Sequence, residues 1–422
     1  MDWSGDLTAF ETFRNKSSAF IQATFPVADS DFILTSAINP ISSVDHSGSD
    51  KRLNPVEMGL WFVSTPTMLR MLAPMADRFV VVVPLTWFDD TTTSFSGYSG
   101  LHNPYISTLN LVAAVDTGSP NGSVSVAAHE VGHSFGLNLN CEEYNPCNTT
   151  RKDGIGNYAA NGLWVAQHMP IRPSIAAPVY NFMGSTNDRP YWVSQESYTK
   201  LLTDRDQPVV AALNAVEDGV VVISGMIKND GTGSLASFYR LPAAAIDSSQ
   251  TGSYAIVQYD AGGTELGRYS FDVAFTWEGT TLTEAPFAFT IPFYQGATRI
   301  VLLKDSTSLV ERVVSPHTPV VAITAPAGGA QVRGPVSLQW SGNDTDGDTL
   351  EYTAMVSADN GATWSPIAFA IHNTAATLDP TGIPPGTNYR VKVVATDGVN
   401  TGEAVSNAFT VFQPLFLPLI RR

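Results

Sequence analysis

Two histidines one helical turn apart place the tightest constraint on this chain. They lie in Ala127-Ala128-His129-Glu130-Val131-Gly132-His133-Ser134-Phe135-Gly136-Leu137. In a helix, His129 and His133 share one face, so their imidazoles converge on a single metal ion with Glu130 beside it. Val124, Val126, Ala127, Ala128 and Val131 give that helix an apolar flank suited to burial. Gly136 falls where the helix must stop and turn. A chance match inside an ordinary core helix would keep the apolar flank but would not need glycine at both 132 and 136. Two imidazoles suit Zn2+, and a carboxylate next to metal-held water accepts its proton as the water attacks a carbonyl. His129 and His133 are therefore candidate metal ligands and Glu130 the candidate general base. The chemistry they imply is hydrolysis of a peptide bond without a covalent intermediate, on a protein or peptide substrate.

The rest of the composition narrows the setting. At 422 residues, 44% of them hydrophobic, the chain is too long for one ordinary domain. A formal net charge of −16 and the lack of any basic cluster argue against a nucleic-acid partner. No run is long and apolar enough to span a bilayer, and the tail from Leu415 to Ile420 is too short. The opening Met1-Asp2-Trp3-Ser4-Gly5-Asp6 lacks the basic start and apolar run of a signal peptide. Scarce lysine and abundant Ser, Thr, Gly and Asn nevertheless point to a secreted, extracellular protein. In that setting Cys141 and Cys147, close together after the histidines, are expected to form a small disulfide.

Residues 1 to 120 read as a mixed α/β half-domain. Ala19 to Val27 is read as entering a strand, and Asp31 to Ile38 fits a helix or a strand equally. Thr65-Pro66, followed by Met68, Leu69, Met71 and Leu72, has the N-cap and first-turn proline of a helix. Phe79 to Pro84 is a continuous β-branched run of buried character, ended by proline. Ile106 to Val115 alternates in its first half as a half-exposed strand does. Such a strand would flank a cleft and could pair with extended substrate, although an ordinary edge strand reads the same way. His46 and His102 are read as surface or loop histidines.

Downstream of the histidines come Tyr180-Asn181-Phe182-Met183-Gly184-Ser185 and Tyr191-Trp192-Val193-Ser194. With the glycine-ended helix, they resemble the metzincin clan of zinc peptidases, including secreted bacterial and archaeal IgA-protease-like members, over roughly residues 70 to 205. The resemblance implies an α/β (α+β) catalytic domain in which a third ligand follows the glycine and Met183 occupies the methionine turn beneath the metal. This chain departs from the pattern at Leu139, which stands where His or Asp is expected and cannot bind zinc. Glu142 reaches the ligand position if three residues are inserted, with Glu143 as the alternative beside it. His168 and Cys141 remain further candidates, the thiol having a nearer use in bridging to Cys147. Tyr144, Tyr180 and Tyr191 are aromatic donors near these motifs, each more simply read as packing than as oxyanion support. Arg151 to Tyr158 reads as a polar glycine-rich loop that spans the gap or binds Ca2+. Trp192, Tyr198, Leu201 and Leu202 suit a closing helix begun by Ser194.

Past Asp206-Gln207-Pro208 the pattern becomes short alternating apolar runs separated by Gly, Asn and Asp, which indicates antiparallel β-structure. Val220 to Gly225, Tyr254 to Tyr259, Phe287 to Pro292 and Arg299 to Leu303 supply at least four strands, with Asp260-Ala261-Gly262-Gly263 as a hairpin turn. Pro316 to Pro326 reads as a linker into a further β unit. There Val336, Leu338 and Trp340 alternate, as do Leu350, Tyr352, Ala354 and Val356, then Tyr389, Val391, Val393 and Ala395, before Phe409 and Val411. This unit resembles fibronectin type III and immunoglobulin-like modules, with Trp340 as core tryptophan and Tyr389 as corner tyrosine. Asn343 to Asp348 has the alternating carboxylates of a Ca2+ loop but no later acidic residue to complete an EF-hand, so a solvated turn is the simpler reading.

The expected organisation is a metzincin-like peptidase domain over 1–207, a β-sandwich over 208–315, a fibronectin type III or Ig-like module over 316–413 and a tail over 414–422. The β modules would act as spacers, stabilisers or binders of cell-surface or glycan groups. The rival reading, prompted by Leu139, is a catalytically impaired peptidase fold that serves as an extracellular binding or adhesion protein. A second rival, a zinc peptidase of the other large class with Glu196 as ligand, is opposed by the Met183 turn.

Overall fold

The computed structural model describes residues 217–412 apart from 248, 250, 274, 278–279, 282 and 379–383. Before them it describes 7–24, 67–75, 81–84, 97–99, 111–115, 127–129, 131–132, 137, 162–164, 169–171, 180–181, 191–192, 198 and 201–202.

Helix α1 spans Leu7–Thr24. Its last turn corrects the expectation that Ala19 onward enters a strand. Ser17, Phe20 and Thr24 are buried at helical spacing, and the Thr24 hydroxyl donates to the Phe20 carbonyl at 2.7 Å. Burial of one helical face therefore prevails over the β preference of Ile21 and Thr24. The second helix, α2, covers 67–72, where Thr65-Pro66 predicts its start, and the bond from the Ala73 amide to the Leu69 carbonyl extends its last turn.

Strands β1 (Val81–Pro84), β2 (Gly97–Ser99) and β3 (Leu111–Val115) form one sheet in the order β1-β3-β2. β1 runs parallel to β3 and β2 antiparallel to it. Two small ladders follow, β4 (Gly162–Trp164) antiparallel to β5 (Met169–Ile171), and β6 (Tyr180–Asn181) parallel to β7 (Tyr191–Trp192). Trp192 thus belongs to a strand, not to the closing helix expected around it. Residues 198, 201 and 202 are helical, with Leu201 buried and Tyr198 and Leu202 exposed.

The first β-sandwich uses β8 (Glu217–Lys228), β9 (Gly233–Leu235), β10 (Tyr239–Leu241), β11 (Tyr254–Tyr259), β12 (Glu265–Phe271), the small ladder β13 (Thr276–Trp277) with β14 (Thr280–Thr281), β15 (Glu284–Tyr294), β16 (Arg299–Lys304) and β17 (Thr307–Val313). One sheet has the order β10-β8-β15, with β9 also on β8, and the other has the order β12-β11-β16-β17. Ile223, Ile256, Phe271, Phe287, Phe289 and Leu302 fill the space between them. Rings of Phe271 and Phe289 meet at 4.7 Å, a tilted contact that adds to the apolar area they bury. The hairpin at 260–263 is present: the Asp260 carboxylate accepts the Thr264 amide at 2.7 Å, and Gly263 has a φ of 83°, a left-handed conformation that glycine takes without strain.

The second sandwich uses β18 (Val320–Ala325), β19 (Gln331–Arg333), β20 (Val336–Asn343), β21 (Glu351–Ser357), β22 (Ser365–Ile371), β23 (Ala375–Leu378), β24 (Gly386–Thr396), β25 (Thr401–Val405) and β26 (Phe409–Phe412). Its sheets have the orders β18-β20-β23 and β19-β26-β24-β21-β22, with β25 also on β24. Val336, Leu338 and Trp340 point inward from β20 and meet Tyr352, Val391, Val393 and Phe409, as their alternation predicts. The Tyr389 hydroxyl donates to the Pro384 carbonyl, the hydrogen bond of a tyrosine corner. The expected linker from Pro316 to Pro326 is largely strand. Val320 to Ala325 pair with β20 because alternate residues of this segment cover the core, leaving a much shorter connection.

The two sandwiches share an extensive junction. Val399, from the turn between β24 and β25, is buried in the core of the first sandwich. Around it the Phe238 amide donates to the Gly398 carbonyl at 2.9 Å, and the Thr396 hydroxyl donates to the Phe238 carbonyl at 2.7 Å. Helix α2 fills the remaining angle. Met68 and Met71 join Tyr239 of the first sandwich and Met355, Phe369 and Val394 of the second in one buried cluster. Leu69 and Ala73 pack against Ala288.

Candidate functional site

The histidine segment is helical at Ala127–His129 and at Val131–Gly132. Ala127, Ala128 and Val131 are buried, Leu137 is fully buried, and His129 is half-buried. Ala127, Ala128 and Val131 of the predicted apolar flank are thus on the inward face, while Val124 and Val126 lie outside the described residues. The Leu137 amide donates to the Gly132 carbonyl at 3.0 Å. That separation is the one that closes a Schellman turn, in which glycine is favoured just before the donor, and the sequence has Gly136 there.

Of the proposed metal set, His129 alone is among the described residues. Glu130, His133, Gly136, Cys141, Glu142, Glu143, Cys147 and Met183 lie outside them, as do Leu139, His46, His102, Tyr144, 151–158, His168 and Glu196. What the backbone does bring together is the pair of downstream motifs: Tyr180 stands opposite Tyr191 and Asn181 opposite Trp192 in the parallel β6–β7 ladder. The methionine segment and the Tyr-Trp segment, read separately in the sequence, are therefore neighbours.

A second group of metal-type side chains lies in the β20–β21 loop. The carboxylates of Asp344, Asp346 and Asp348 place oxygens within 4.8 Å of one another. Two of them hold the connection between the sandwiches. Asp346 accepts the His317 backbone amide at 2.9 Å and meets its imidazole Nδ1 at 2.7 Å, while the Ser315 hydroxyl donates to Asp348. Hydrogen bonding to Asp346 raises the pKa of His317 above its ordinary 6.5, and the same contact lowers that of Asp346. The solvated-turn reading of 343–348 thus misses a structural use: the loop clasps the chain that enters the second module.

Several other junction residues carry no sequence signal. Arg240 donates to Asn400 Oδ1 at 3.1 Å and to Asp218 Oδ2 at 2.7 Å, and its guanidinium lies 4.0 Å from the centre of the Phe293 ring. Glu351 accepts the Tyr239 hydroxyl at 3.0 Å and the Ser237 hydroxyl at 3.3 Å. Arg312 donates to the Leu235 carbonyl at 3.1 Å, and burial lowers its pKa against the opposing pull of Glu351 and Asp397. These groups tie modules together and converge on no cleft.

No protein-family model matches the chain, and no curated protein is similar to it. Among solved structures it is similar to the fibronectin(III)-like modules of CbhA from Clostridium thermocellum, with 16% identity and a TM-score of 0.21, over 49% of this chain and 93% of that one. It is also similar to the endo-beta-1,4-mannanase from Thermotoga petrophila, with 13% identity and a TM-score of 0.19, over 24% of this chain and 21% of that one. At these scores neither likeness carries a function. The class the described residues define is set by their own sheets: two β-sandwiches, with Val399 of the second buried in the core of the first. No described helix is long and apolar enough to cross a membrane.

Proposed function

We propose that this chain is a secreted zinc-dependent endopeptidase. Its 1–207 half would carry the metzincin-like site, and its second sandwich would be a fibronectin type III-like module. The observation that supports the reading best is the helix at residues 127–129 and 131–132. Its apolar side is buried and its first histidine half-buried, leaving an imidazole at the rim of a packed helix, where a metal ligand belongs. His129, His133 and Glu142, with Glu143 as the alternative, would hold the ion. A zinc ion held there would supply a water of lowered pKa and polarise the scissile carbonyl. Glu130 would be the group that takes the water's proton and returns it to the leaving amine. Buried Ala127, Ala128 and Val131 pack the helix against its neighbours, so the His129 imidazole is carried on an anchored element.

The rival reading, an adhesion protein built on a disabled peptidase fold, draws its support from Leu139. Zinc content and casein cleavage separate the two when measured on wild type, Glu142→Ala, Glu143→Ala and Glu130→Gln. The peptidase reading requires about one zinc per chain in wild type. Glu130→Gln should retain the metal and lose cleavage by about 10²–10⁴-fold. Glu142→Ala should lose both. Wild type that takes up no zinc and cleaves nothing, even with zinc supplied, would leave the binding reading standing.

A further inference from the structure

We infer that helix α2 is a wedge fastening the N-terminal half of the chain to the sandwich pair, and that the β1–β3 sheet keeps its structure only while the wedge is seated between the two modules. The sequence divides the chain near residue 207 into a peptidase domain and accessory modules, and α2 crosses that division. At six residues it is too short to be stable as an isolated helix, so its conformation depends on what buries it. Thr67, Met68, Arg70 and Met71 are each at most 5% exposed, so burial surrounds the helix instead of striping one side. Among the described residues, the apolar partners it finds all belong to the sandwiches: Tyr239 and Ala288 of the first, Met355, Phe369 and Val394 of the second.

Polar contacts fix the wedge in one position. The Pro74 carbonyl accepts the Ala245 amide of the first sandwich at 2.8 Å and the Arg70 guanidinium at 2.9 Å. Arg70 is fully buried, and a buried guanidinium is costly unless its hydrogen bonds are met, which ties the end of α2 to one arrangement against Ala245. At the other end the Thr67 hydroxyl donates to Ser224 Oγ of β8 at 3.3 Å.

The chain leaves this seat for β1 almost at once. From Met75 to Val81 it reaches at most about 22 Å, so the first strand of the N-terminal sheet starts near the joint between the modules. Val81, Val82 and Val83 pair there with Val112, Ala113 and Ala114 of β3, the central strand. A sheet of three strands, none longer than five residues, needs an anchor beyond its own ladder. The wedge supplies one, which makes the sandwiches the base on which this sheet is assembled and not detachable spacers. The inference does not rest on the proposed zinc site, and its test reads exchange and not cleavage.

The test is hydrogen exchange on the full chain, comparing wild type with two variants on the sandwich side of the seat. Ala288 stands on β15 between the core residues Phe287 and Phe289 and meets Leu69 and Ala73, so Ala288→Leu crowds the wedge and leaves the core side chains in place. Phe369→Ala removes a ring from the cluster that holds Met68 and Met71. Each variant should quicken exchange by about tenfold or more at 67–75 and, in step with it, at Val81–Val83 and 111–115. Faster exchange at 67–75 with β1 and β3 unchanged would overturn the inference, as would exchange at 67–75 that neither variant alters. If both variants unfold, wild type in low urea decides. Its α2, β1 and β3 amides should open in one event with a common urea dependence, and protection of β1 and β3 that outlasts that of α2 would count against the wedge.

Discussion

The Tyr389 hydroxyl reaches back to the Pro384 carbonyl and fixes the chain as it enters β24, while its ring packs 5.8 Å from that of Phe409. Burial raises the phenol's pKa above its ordinary value, which favours its protonated, donating form. Tyr389→Phe keeps the ring and removes the bond, and should cost about 1 kcal/mol, read from urea unfolding followed by Trp340 fluorescence. A different kind of residue effect is expected at His317. Its pKa is raised by Asp346, so its contribution to the clasp is complete below 6.5 and is lost as pH rises through the higher folded value. Asp346, with its pKa lowered, contributes above 3.8 and loses that contribution as pH falls through the lower folded value. The clasp is therefore strongest in mildly acidic solution, between these limits. Asp346→Asn should move the NMR titration midpoint of His317 down towards 6.5, and an unchanged midpoint would show that the pair does not form in solution. Tyr389 could be foreseen from its place in an alternating run. The His317–Asp346 pair could not, because 29 residues separate the partners and neither side chain belongs to a periodic pattern.

Among the elements, legibility follows the number of faces a strand buries and the partners it finds. β20 buries one face, with Val336, Leu338 and Trp340 buried and Ser337 and Gln339 exposed between them, and is read directly from that alternation. β11 buries both faces, Ile256 in the main core and Ala255 and Val257 on the outer side. Its apolar run announces a strand, but says nothing about which side faces the partner sheet. The end of α1 reads as strand in the sequence because local β preference competes with helical burial, and only the packed structure decides. Helix α2 is the element whose existence is plain and whose role is hidden. Thr65-Pro66 sets its start, yet nothing in its short apolar repeat indicates that Met68, Arg70 and Met71 become buried at the meeting of two β modules far along the chain. Met68→Ala should therefore lower the stability of the sandwich pair by about 2–5 kcal/mol, the cost of a methionine-sized cavity in a well-packed cluster. Urea unfolding read at Trp340, in a module that the sequence separates from Met68 by more than two hundred positions, would show the effect. No change there would mean that α2 rests on the sandwiches without supporting them. The helix bearing His129 is the reverse case: the sequence indicates chemistry, and the described structure adds the buried flank that would hold it steady.

For the molecule as a whole, the decisive contact is Val399. It belongs in sequence to the second sandwich, between β24 and β25, and in space to the core of the first, where it is 1% exposed. The backbone around it is specialised for the purpose. Gly398 has a φ of 107°, and an added Cβ there would lie 2.5 Å from the Arg312 guanidinium, so no other residue turns the chain at this point without strain or displacement. Asn400 completes the joint by donating to the Ser315 and His317 carbonyls at 2.9 and 3.3 Å. Such an arrangement predicts that the two modules behave as one cooperative unit, unlike beads on a flexible linker, whose stabilities are independent. Val399→Ala removes two methyl groups from the first core and should destabilise it by about 2 kcal/mol. The test is where the loss is read. If the modules are coupled, hydrogen exchange should quicken at Ile256 and Leu302 in the first sandwich, and also at Val391 and Val393 in the second. Faster exchange restricted to the first sandwich would show that the joint transmits no stability. That outcome would return the second module to the independent spacer its sequence suggests.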